Sequence, residues 1–476
     1  MKKLNYNISR PAQASFWFMV CNVIQKCVTF FTMPIFTRVM STYDYGIVSL
    51  FGSWQGILSI IFTMNLYAGV YNKGLIVNEN DKDGYTSSLL SLSTCITLFF
   101  FCLFLIFKEE FCIILGLELN NVYLLFMSIL GINAFCFWTA RNRFEYKYQS
   151  TVLLTFSSFF TSTILGLIVI LGSKGNLANA RIKSNVFVDF LIGFICYFLI
   201  LKKGKCIYKK EYWKHAFKYN LPLIPHYMSM QILNQSDRIM INNFCGSDYA
   251  GIYSVAYQIS FTINMFVTAI HASFSPWVYQ NMKDGEMHKV SEVTKVILLG
   301  MGIICIFMAM VAPELIYIFG GEKYAEAVDI VPPVAFSVLF NMLYSIVALV
   351  AFYYERTHFI MVGTLVAAVL NIILNGIFIP IFGFVAAGYT TLICYIVYAC
   401  IHYMFMKKVC RQEKIERIVS FRVIGGCIWG AMITCIFSGV IHRWFVIRYF
   451  IIILIGSCMI VKNKDAILSL IQNKSG

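Results

Sequence analysis

The sequence has few charged side chains. Asp, Glu, Lys and Arg make up 13% of its 476 residues, whereas 59% are hydrophobic. A water-soluble protein carries roughly a quarter charged residues. The composition therefore excludes an ordinary soluble enzyme and a disordered or fibrous chain, and it predicts a protein that is partly solvated by lipid. The 38 basic against 23 acidic residues indicate cytoplasmic membrane loops rather than nucleic-acid binding.

Motifs for catalysis and for known cofactors are also missing. The sixteen cysteines include no CxxC pair and no zinc-ligand spacing, so we expect them to be small packing residues. The sequence has no GxxxxGK[ST] phosphate loop, no HExxH and no GxSxG. It therefore predicts a non-enzyme with no catalytic residue, no metal site and no cofactor except H⁺ or Na⁺ as a coupling ion.

Long apolar runs follow one another along the whole chain. A bilayer core of about 30 Å requires about twenty apolar residues per helix, so the sequence predicts an all-α membrane protein with about fourteen transmembrane helices. Lys2, Lys3 and Arg10 precede the first run, which lacks a cleavage site and is expected to be a retained helix. The sixth, seventh, eighth and fourteenth spans are predicted at 185–201, 221–243, 250–275 and 445–461.

Basic residues set the expected topology. Seven lysines lie between 202 and 218, and such segments remain in the cytoplasm. We therefore expect a multi-pass protein with both termini cytoplasmic. The short segment 173–184, which contains Arg181 and Lys183, is then an outer loop.

Short motifs recur at a separation of about 205 residues. Gly46-Ile47-Val48-Ser49 is similar to Gly251-Ile252-Tyr253-Ser254, and Phe144-Glu145-Tyr146 is similar to Tyr354-Glu355-Arg356. Six helices per repeat keep the same orientation, which predicts two six-helix bundles related by a pseudo-two-fold axis, plus two C-terminal helices. The predicted parts are an N-terminal bundle at 1–201, a basic cytoplasmic linker at 202–218, a C-terminal bundle at 219–406, and two additional helices with a tail at 407–476.

Several of these segments carry a family resemblance. They are Pro34-Ile35-Phe36-Thr37-Arg38, Leu221-Pro222-Leu223-Ile224-Pro225, Asn234-Gln235-Ser236-Asp237-Arg238, Gly251-Ile252-Tyr253-Ser254 and Gly383-Phe384-Val385-Ala386-Ala387. Together they make the chain resemble the Wzx-type O-antigen and polysaccharide flippases, in the superfamily that includes multidrug and toxin extruders and the lipid II flippase. The resemblance implies lipopolysaccharide or other polysaccharide biosynthesis, with transport of an undecaprenyl-pyrophosphate-linked oligosaccharide across a bacterial inner membrane.

A pyrophosphate and its sugars cannot cross a dry core, because unpaired polar groups there cost several kcal/mol each. The candidate substrate-binding cations are Lys26, Arg238, Arg141 and Arg143. Lys26 is expected about 18 Å into the first span, near the bilayer centre. Each has a structural alternative: ion pairing for Lys26, gate closure for Arg238, and a topological role for Arg141 and Arg143.

A second group of residues is predicted to serve as gates or in ion coupling. Its members are Arg38, Asp44, Asp189, Asp237, His226, Asn371 and Asn375. Asp189 is expected near the outer start of the sixth span, where coupling and pairing with Arg181 or Lys183 are both open. Asn371 and Asn375 are four residues apart and therefore share a helix face.

The resulting hypothesis is a flippase that works by ion-coupled alternating access, with the lipid bilayer, a polysaccharide polymerase and chain-length proteins as partners and no nucleic acid. The alternatives are an ion-coupled exporter of cationic drugs with the same fold and a membrane-embedded glycan-modifying enzyme. A positively charged cavity favours the first, and an acidic cavity favours the exporter. The short loops leave no room for a soluble catalytic domain.

Overall fold

The computed structural model describes residues 10–69, 71–356, 358–442, 444–450 and 452, and these residues form helices and connecting turns without any strand. The α-helices are α1 (Arg10–Val39), α2 (Thr42–Thr63), α3 (Tyr71–Val77), α4 (Lys82–Ile106), α5 (Lys108–Leu115), α6 (Leu119–Phe144), α7 (Tyr148–Gly172), α8 (Leu177–Gly204), α9 (Lys210–Asn220), α10 (Ile224–Cys245), α11 (Ser247–Phe261), α12 (Asn264–Lys283), α13 (Met287–Met310), α14 (Ala312–Phe319), α15 (Val331–Tyr353), α16 (His358–Phe382), α17 (Ala386–Gln412) and α18 (Phe421–Ile441).

Eleven helices within the described residues are long and apolar enough to cross a membrane, so the predicted all-helical membrane protein is confirmed at that level. The predicted seventh span is α10, which is helical but carries too many polar side chains to qualify. The predicted eighth span is divided between α11 and α12, with a break at 262–263. The fourteenth lies mostly outside the described residues, and a total of fourteen stays a prediction.

The order of elements repeats along the chain. The long helix α4 is followed by the eight-residue α5 and then by α6, and in the same way α13 is followed by the eight-residue α14 and then by α15. α6 and α15 also end alike, with Tyr146 and Glu355 both in the left-handed region at φ 55°. Tyr146 and Glu355 thus occupy corresponding positions, two residues after the end of their helices. The similarity of the two motifs in the sequence instead matches Glu145 with Glu355, which is one residue out of register.

The contacts divide the chain into two compact units. The first comprises Met1–Val255 and Thr357–Thr390, and the second comprises Ala256–Arg356 and Thr391–Gly476. In the first unit, buried residues of α4, α6 and α8 form an apolar core that includes Leu89, Phe137 and Cys196. The predicted bundle boundaries and their pseudo-two-fold relation stay predictions.

Candidate functional site

Helix α1 has two chemically opposite faces. Ile24, Phe31 and Ile35 are seven and four residues apart, so their side chains form a stripe along one side of the helix. All three are exposed, as expected for contact with lipid. Asn22 and Lys26 are also exposed, but at 100° per residue they point roughly 140–180° away from Phe31. Gln25 and Thr29 lie roughly 120–160° from Phe31 on the same side. The helix therefore presents a polar face opposite its lipid stripe.

Lys26 lies midway along this polar face. Among the described residues it has no carboxylate within ion-pair distance, and its side chain is exposed. The expected carboxylate partner from another span is thus not present in this part of the chain. A cation near the bilayer centre costs about 2.5–3.5 kcal/mol on insertion scales, and the role of Lys26 in binding substrate stays a prediction.

The two predicted arginines at the end of α6 have different surroundings. They are two residues apart, so their side chains point to different sides of the helix. Arg141 pairs with Asp83 at 3.0 Å and with Glu145 at 2.8 Å, beside a cavity of about 120 Å³. Arg143 is exposed, and its Cζ lies 5.4 Å from the ring centroid of Phe18 on α1. The structure therefore joins Arg143, but not Arg141, to α1.

Arg238 belongs to the contact between α10 and α2. The residue is 9% exposed, and its guanidinium donates to the Asn234 carbonyl at 2.9 Å and to Gln235 Oε1 at 3.0 Å. The same Gln235 oxygen accepts from Ser53 on α2 at 3.2 Å. Arg238 therefore stabilises this contact, and a role in binding substrate stays a prediction.

Asp237 is the centre of a buried polar cluster within the first unit. It has no exposed surface. Its carboxylate accepts from Tyr253 Oη at 2.6 Å, Asn375 Nδ2 at 2.7 Å and Asn371 Nδ2 at 3.3 Å. Thr390 on α17 donates to Asn375. The predicted gate or coupling residues Asp237, Asn371 and Asn375 are therefore brought together, and Tyr253 and Thr390 are additions that the sequence did not indicate.

Asp189 lies elsewhere, in the middle of α8. Ser128 donates to its carboxylate at 2.8 Å, and Gln55 donates to Ser128. The predicted position near the outer start of a span is wrong, because α8 begins at Leu177 and Asp189 is twelve residues inside it. Its hydrogen-bond partner is a serine rather than Arg181 or Lys183.

The remaining predicted gate residues have local contacts. Asp44 accepts from Ser41 at 2.6 Å and from the Ala178 amide at 3.2 Å, joining the starts of α2 and α8. His226 is hydrogen bonded to Thr364 at 3.0 Å. Arg38 lies in the last helical turn of α1, where a cation interacts favourably with the helix dipole.

The position of Arg181 differs from the sequence prediction. It was placed in an outer loop, but Asn176 caps α8 by accepting from the Asn179 amide at 2.9 Å, so Arg181 is helical. The asparagine at 176 is the signal that would have moved the helix start. Among the described residues, no group of three or more His, Cys, Asp or Glu side chains is arranged to hold a metal ion.

Solved membrane transporters share this arrangement of helices. The lipid II flippase MurJ in an inward closed conformation aligns with a TM-score of 0.68 at 16% identity, covering 94% of this chain and 99% of that one. An inward-facing MATE-family multidrug resistance transporter of the MOP superfamily aligns with a TM-score of 0.56 at 11% identity, covering 83% and 95%. At such identities the similarity shows a shared fold, which is that of a multi-pass membrane transporter.

The family follows from the sequence itself. The family model described as polysaccharide biosynthesis protein matches residues 12–282, more than half of the chain, and the MatE model matches 222–377. The chain belongs to the polysaccharide biosynthesis protein family, and the predicted resemblance to this superfamily is confirmed.

Two curated relatives come from Haemophilus influenzae. The Lsg locus putative protein 1 is 21% identical over 277 residues, which are 57% of this chain and 66% of the relative, just under two thirds of its length. An uncharacterized membrane protein is 23% identical over 327 residues, which are 64% of this chain and 76% of that protein.

Proposed function

We propose that the protein is a flippase that moves an undecaprenyl-pyrophosphate-linked oligosaccharide, an O-antigen or capsule repeat unit, from the cytoplasmic to the periplasmic leaflet by alternating access. It acts as a transporter and not as an enzyme. Support comes from the family of the chain, from its transporter fold and from the arrangement of cations along α1.

The observation that carries this proposal is the polar face of α1. Lys26 lies at its midpoint and Arg143 contacts Phe18 near one end. A pyrophosphate that leaves water loses its hydration, and charge-assisted hydrogen bonds from Lys and Arg replace it. The prenyl tail is apolar and requires no hydrogen bonds, so it remains in lipid beside the apolar stripe. One helix thus faces both parts of the proposed substrate.

The Asp237 cluster is the proposed coupling site. A buried carboxylate held by neutral donors can bind H⁺ or Na⁺, and the amides of Asn371 and Asn375 can rotate to present oxygen instead of nitrogen. Binding of the ion would change the contacts of α10, which also packs against α2. This is how ion binding would be linked to opening of the α2–α10 contact.

The proposed location is the bacterial inner membrane with both termini cytoplasmic. Arg143 and the lysine-rich α9 segment then lie on the cytoplasmic side. The starts of α2 and α11, which approach each other closely at Gly46 and Gly251, then lie on the periplasmic side. The polymerase and chain-length proteins that take up the translocated unit are the expected partners.

The test uses cells in which this chain is the only flippase for the glycan. Lys26→Ala should lower surface glycan by about tenfold or more and cause the lipid-linked precursor to accumulate, because a hydrogen bond to a charged group contributes about 1.5–3 kcal/mol. Lys26→Arg should retain most activity. Lys295→Ala is the control, since Lys295 is exposed on α13 and paired with Glu292 at 2.7 Å. Normal glycan with Lys26→Ala at a normal protein level would contradict the proposal.

A second candidate is an exporter of small cations coupled to an ion gradient. The buried acid Asp237 and the MatE match at 222–377 favour it. It predicts resistance to cationic dyes that depends on Asp237, together with unchanged surface glycan when the gene is removed. The flippase proposal predicts the reverse on both measurements.

A further inference from the structure

Arg181 extends from α8 toward α1 and α7. Its Nη1 donates to the Ser162 carbonyl at 3.0 Å, and its Cζ lies 4.1 Å from the ring centroid of Phe36. Gly166 makes room for it, because a Cβ there would overlap the guanidinium. All three neighbours belong to the first compact unit.

The direction of this side chain is unusual for an arginine near a helix end. Arg181 is in the second turn of α8, yet its guanidinium bonds to Ser162, ten residues or about 15 Å before the end of α7. Long cationic side chains near a membrane surface normally extend toward water. Phe36, Met40 and Ile170 form an apolar cluster at the helix ends, and the Arg181 guanidinium lies against Phe36 of this cluster instead of extending toward the start of α8.

The charge of Arg181 is not balanced locally. Across the described ranges, no carboxylate lies within 4.0 Å of its guanidinium, and its one hydrogen bond is to a backbone carbonyl. A guanidinium has five N–H donors in a planar fork that matches phosphate oxygens. A cation that lies among membrane helices without a carboxylate partner is expected to face an anion or a water-filled space.

Three cations now follow one another along α1. Arg143 is at Phe18, Lys26 is on the helix itself, and Arg181 is at Phe36. At 1.5 Å per residue the steps from Phe18 to Lys26 and from Lys26 to Phe36 are about 12 and 15 Å. Together they span about 27 Å, close to the thickness of the hydrocarbon core.

We propose that Arg181 is a pyrophosphate-binding residue, at which the anionic headgroup is held after it leaves Lys26 and before it reaches the far leaflet. This inference rests on the proposed flippase function. It assigns a third binding position to a path for which Arg143 and Lys26 provide the first two.

The test measures binding of farnesyl pyrophosphate to the full chain in nanodiscs, with farnesol as the uncharged comparison. Wild type should prefer the pyrophosphate. Arg181→Gln should weaken pyrophosphate binding about tenfold or more and leave farnesol binding unchanged. Lys183→Gln is the matched control, because Lys183 is exposed on the same helix and removal of its charge should change neither affinity.

Gly166→Ala separates charge from position. It keeps every cation but displaces the guanidinium from Ser162, so it should also weaken pyrophosphate binding, by several-fold. Gly172→Ala, where an added Cβ meets nothing within 4 Å, should not. Wild-type pyrophosphate affinity in Arg181→Gln and Gly166→Ala would overturn the role of Arg181 and leave the flippase proposal standing. Equal binding of farnesol and farnesyl pyrophosphate by wild type would overturn the flippase proposal itself.

Discussion

At the scale of single residues, the membrane part of this protein contains charges in two kinds of environment. Asp237 is fully buried and accepts hydrogen bonds from Tyr253, Asn371 and Asn375. Lys26 is exposed on a polar helix face. Burial of a carboxylate without hydrogen bonds would cost several kcal/mol, and these protein donors stabilise Asp237.

Replacing Asp237 with Asn keeps the shape of the side chain and removes its charge. We expect the protein to fold and to bind substrate, while acceleration of transport by a Na⁺ or pH gradient falls about tenfold, since the ion loses its carboxylate ligand. Initial rates in proteoliposomes with and without each gradient measure this. Asp284→Asn, at the exposed end of α12, is the control. An unchanged gradient dependence in Asp237→Asn would exclude this residue from coupling.

The sequence predicted several of these residues but not their surroundings. The four-residue spacing of Asn371 and Asn375 predicted a shared face, and both contact Asp237. The spacing of Arg141 and Arg143 did not reveal that Asp83, distant in sequence, pairs with Arg141. Tyr253 and Thr390 were not predicted, because only tertiary packing brings hydroxyl groups from α11 and α17 to α10.

At the scale of helices, the contact of α2 with α11 explains one of the repeated motifs. Gly46 and Gly251 begin the two similar segments, and each lacks the Cβ that would overlap the backbone of the other helix. Thr42 donates to Asp248 beside them. The sequence showed that the motif repeats. That its two copies meet each other depends on the three-dimensional arrangement.

Gly46→Ala should separate these helix ends. A Cβ at this position meets the Ser247 carbonyl, which is backbone and cannot move aside as a side chain does, and overpacking of this kind costs about 1–3 kcal/mol. Amide hydrogen exchange should become faster at 42–46 and at 247–251. Gly52→Ala on the same helix, with nothing within 4 Å of its Cβ, should leave exchange unchanged. Protection equal to wild type in Gly46→Ala would show that the contact is not required.

At the scale of the whole molecule, the all-helical content was predictable from the sequence, and the exact bounds of the helices were less so. Long apolar runs predict helices. The polar residues of α10 to α12 do not form such runs, and the contacts of these residues, such as those of Asp237, are seen only in the folded structure. In the second unit, Arg448 forms a bidentate pair with Glu314 at 2.7 Å for both contacts and donates to the Met310 carbonyl at 2.7 Å. This pair joins the segment after α18 to α14.

Arg448→Ala should lower the free energy of unfolding of the second unit by about 3 kcal/mol, because it leaves a partly buried carboxylate without its partner. Thermal unfolding in detergent measures this. Arg356→Ala is the control, since its pair with Glu413 is more exposed and longer at 3.6 Å, and such pairs contribute about 0–1 kcal/mol. Equal melting temperatures for the two variants would contradict the assigned importance of Arg448.

The same pair predicts a pH dependence. Burial raises the pKa of Glu314, but the hydrogen bonds and charge of Arg448 lower it more, so the net pKa is below its ordinary value of 4.5. The pair therefore contributes its full stability above about pH 4.5 and loses it as the pH falls through the lowered pKa. Melting temperatures measured over a range of pH should show this loss of stability in wild type and not in Arg448→Ala. If the variant shows the same loss, another group is responsible for it.

The most direct test of the central claim is translocation by the purified chain. Proteoliposomes carrying an undecaprenyl-pyrophosphate oligosaccharide in one leaflet are treated with an impermeant glycosidase, and the cleaved fraction is followed with time. The account predicts transfer that requires the protein, that falls about tenfold or more with Lys26→Ala, and that is unaffected by Lys295→Ala. Transfer at the wild-type rate with Lys26→Ala, or no transfer by wild type in the presence of either ion gradient, would contradict it.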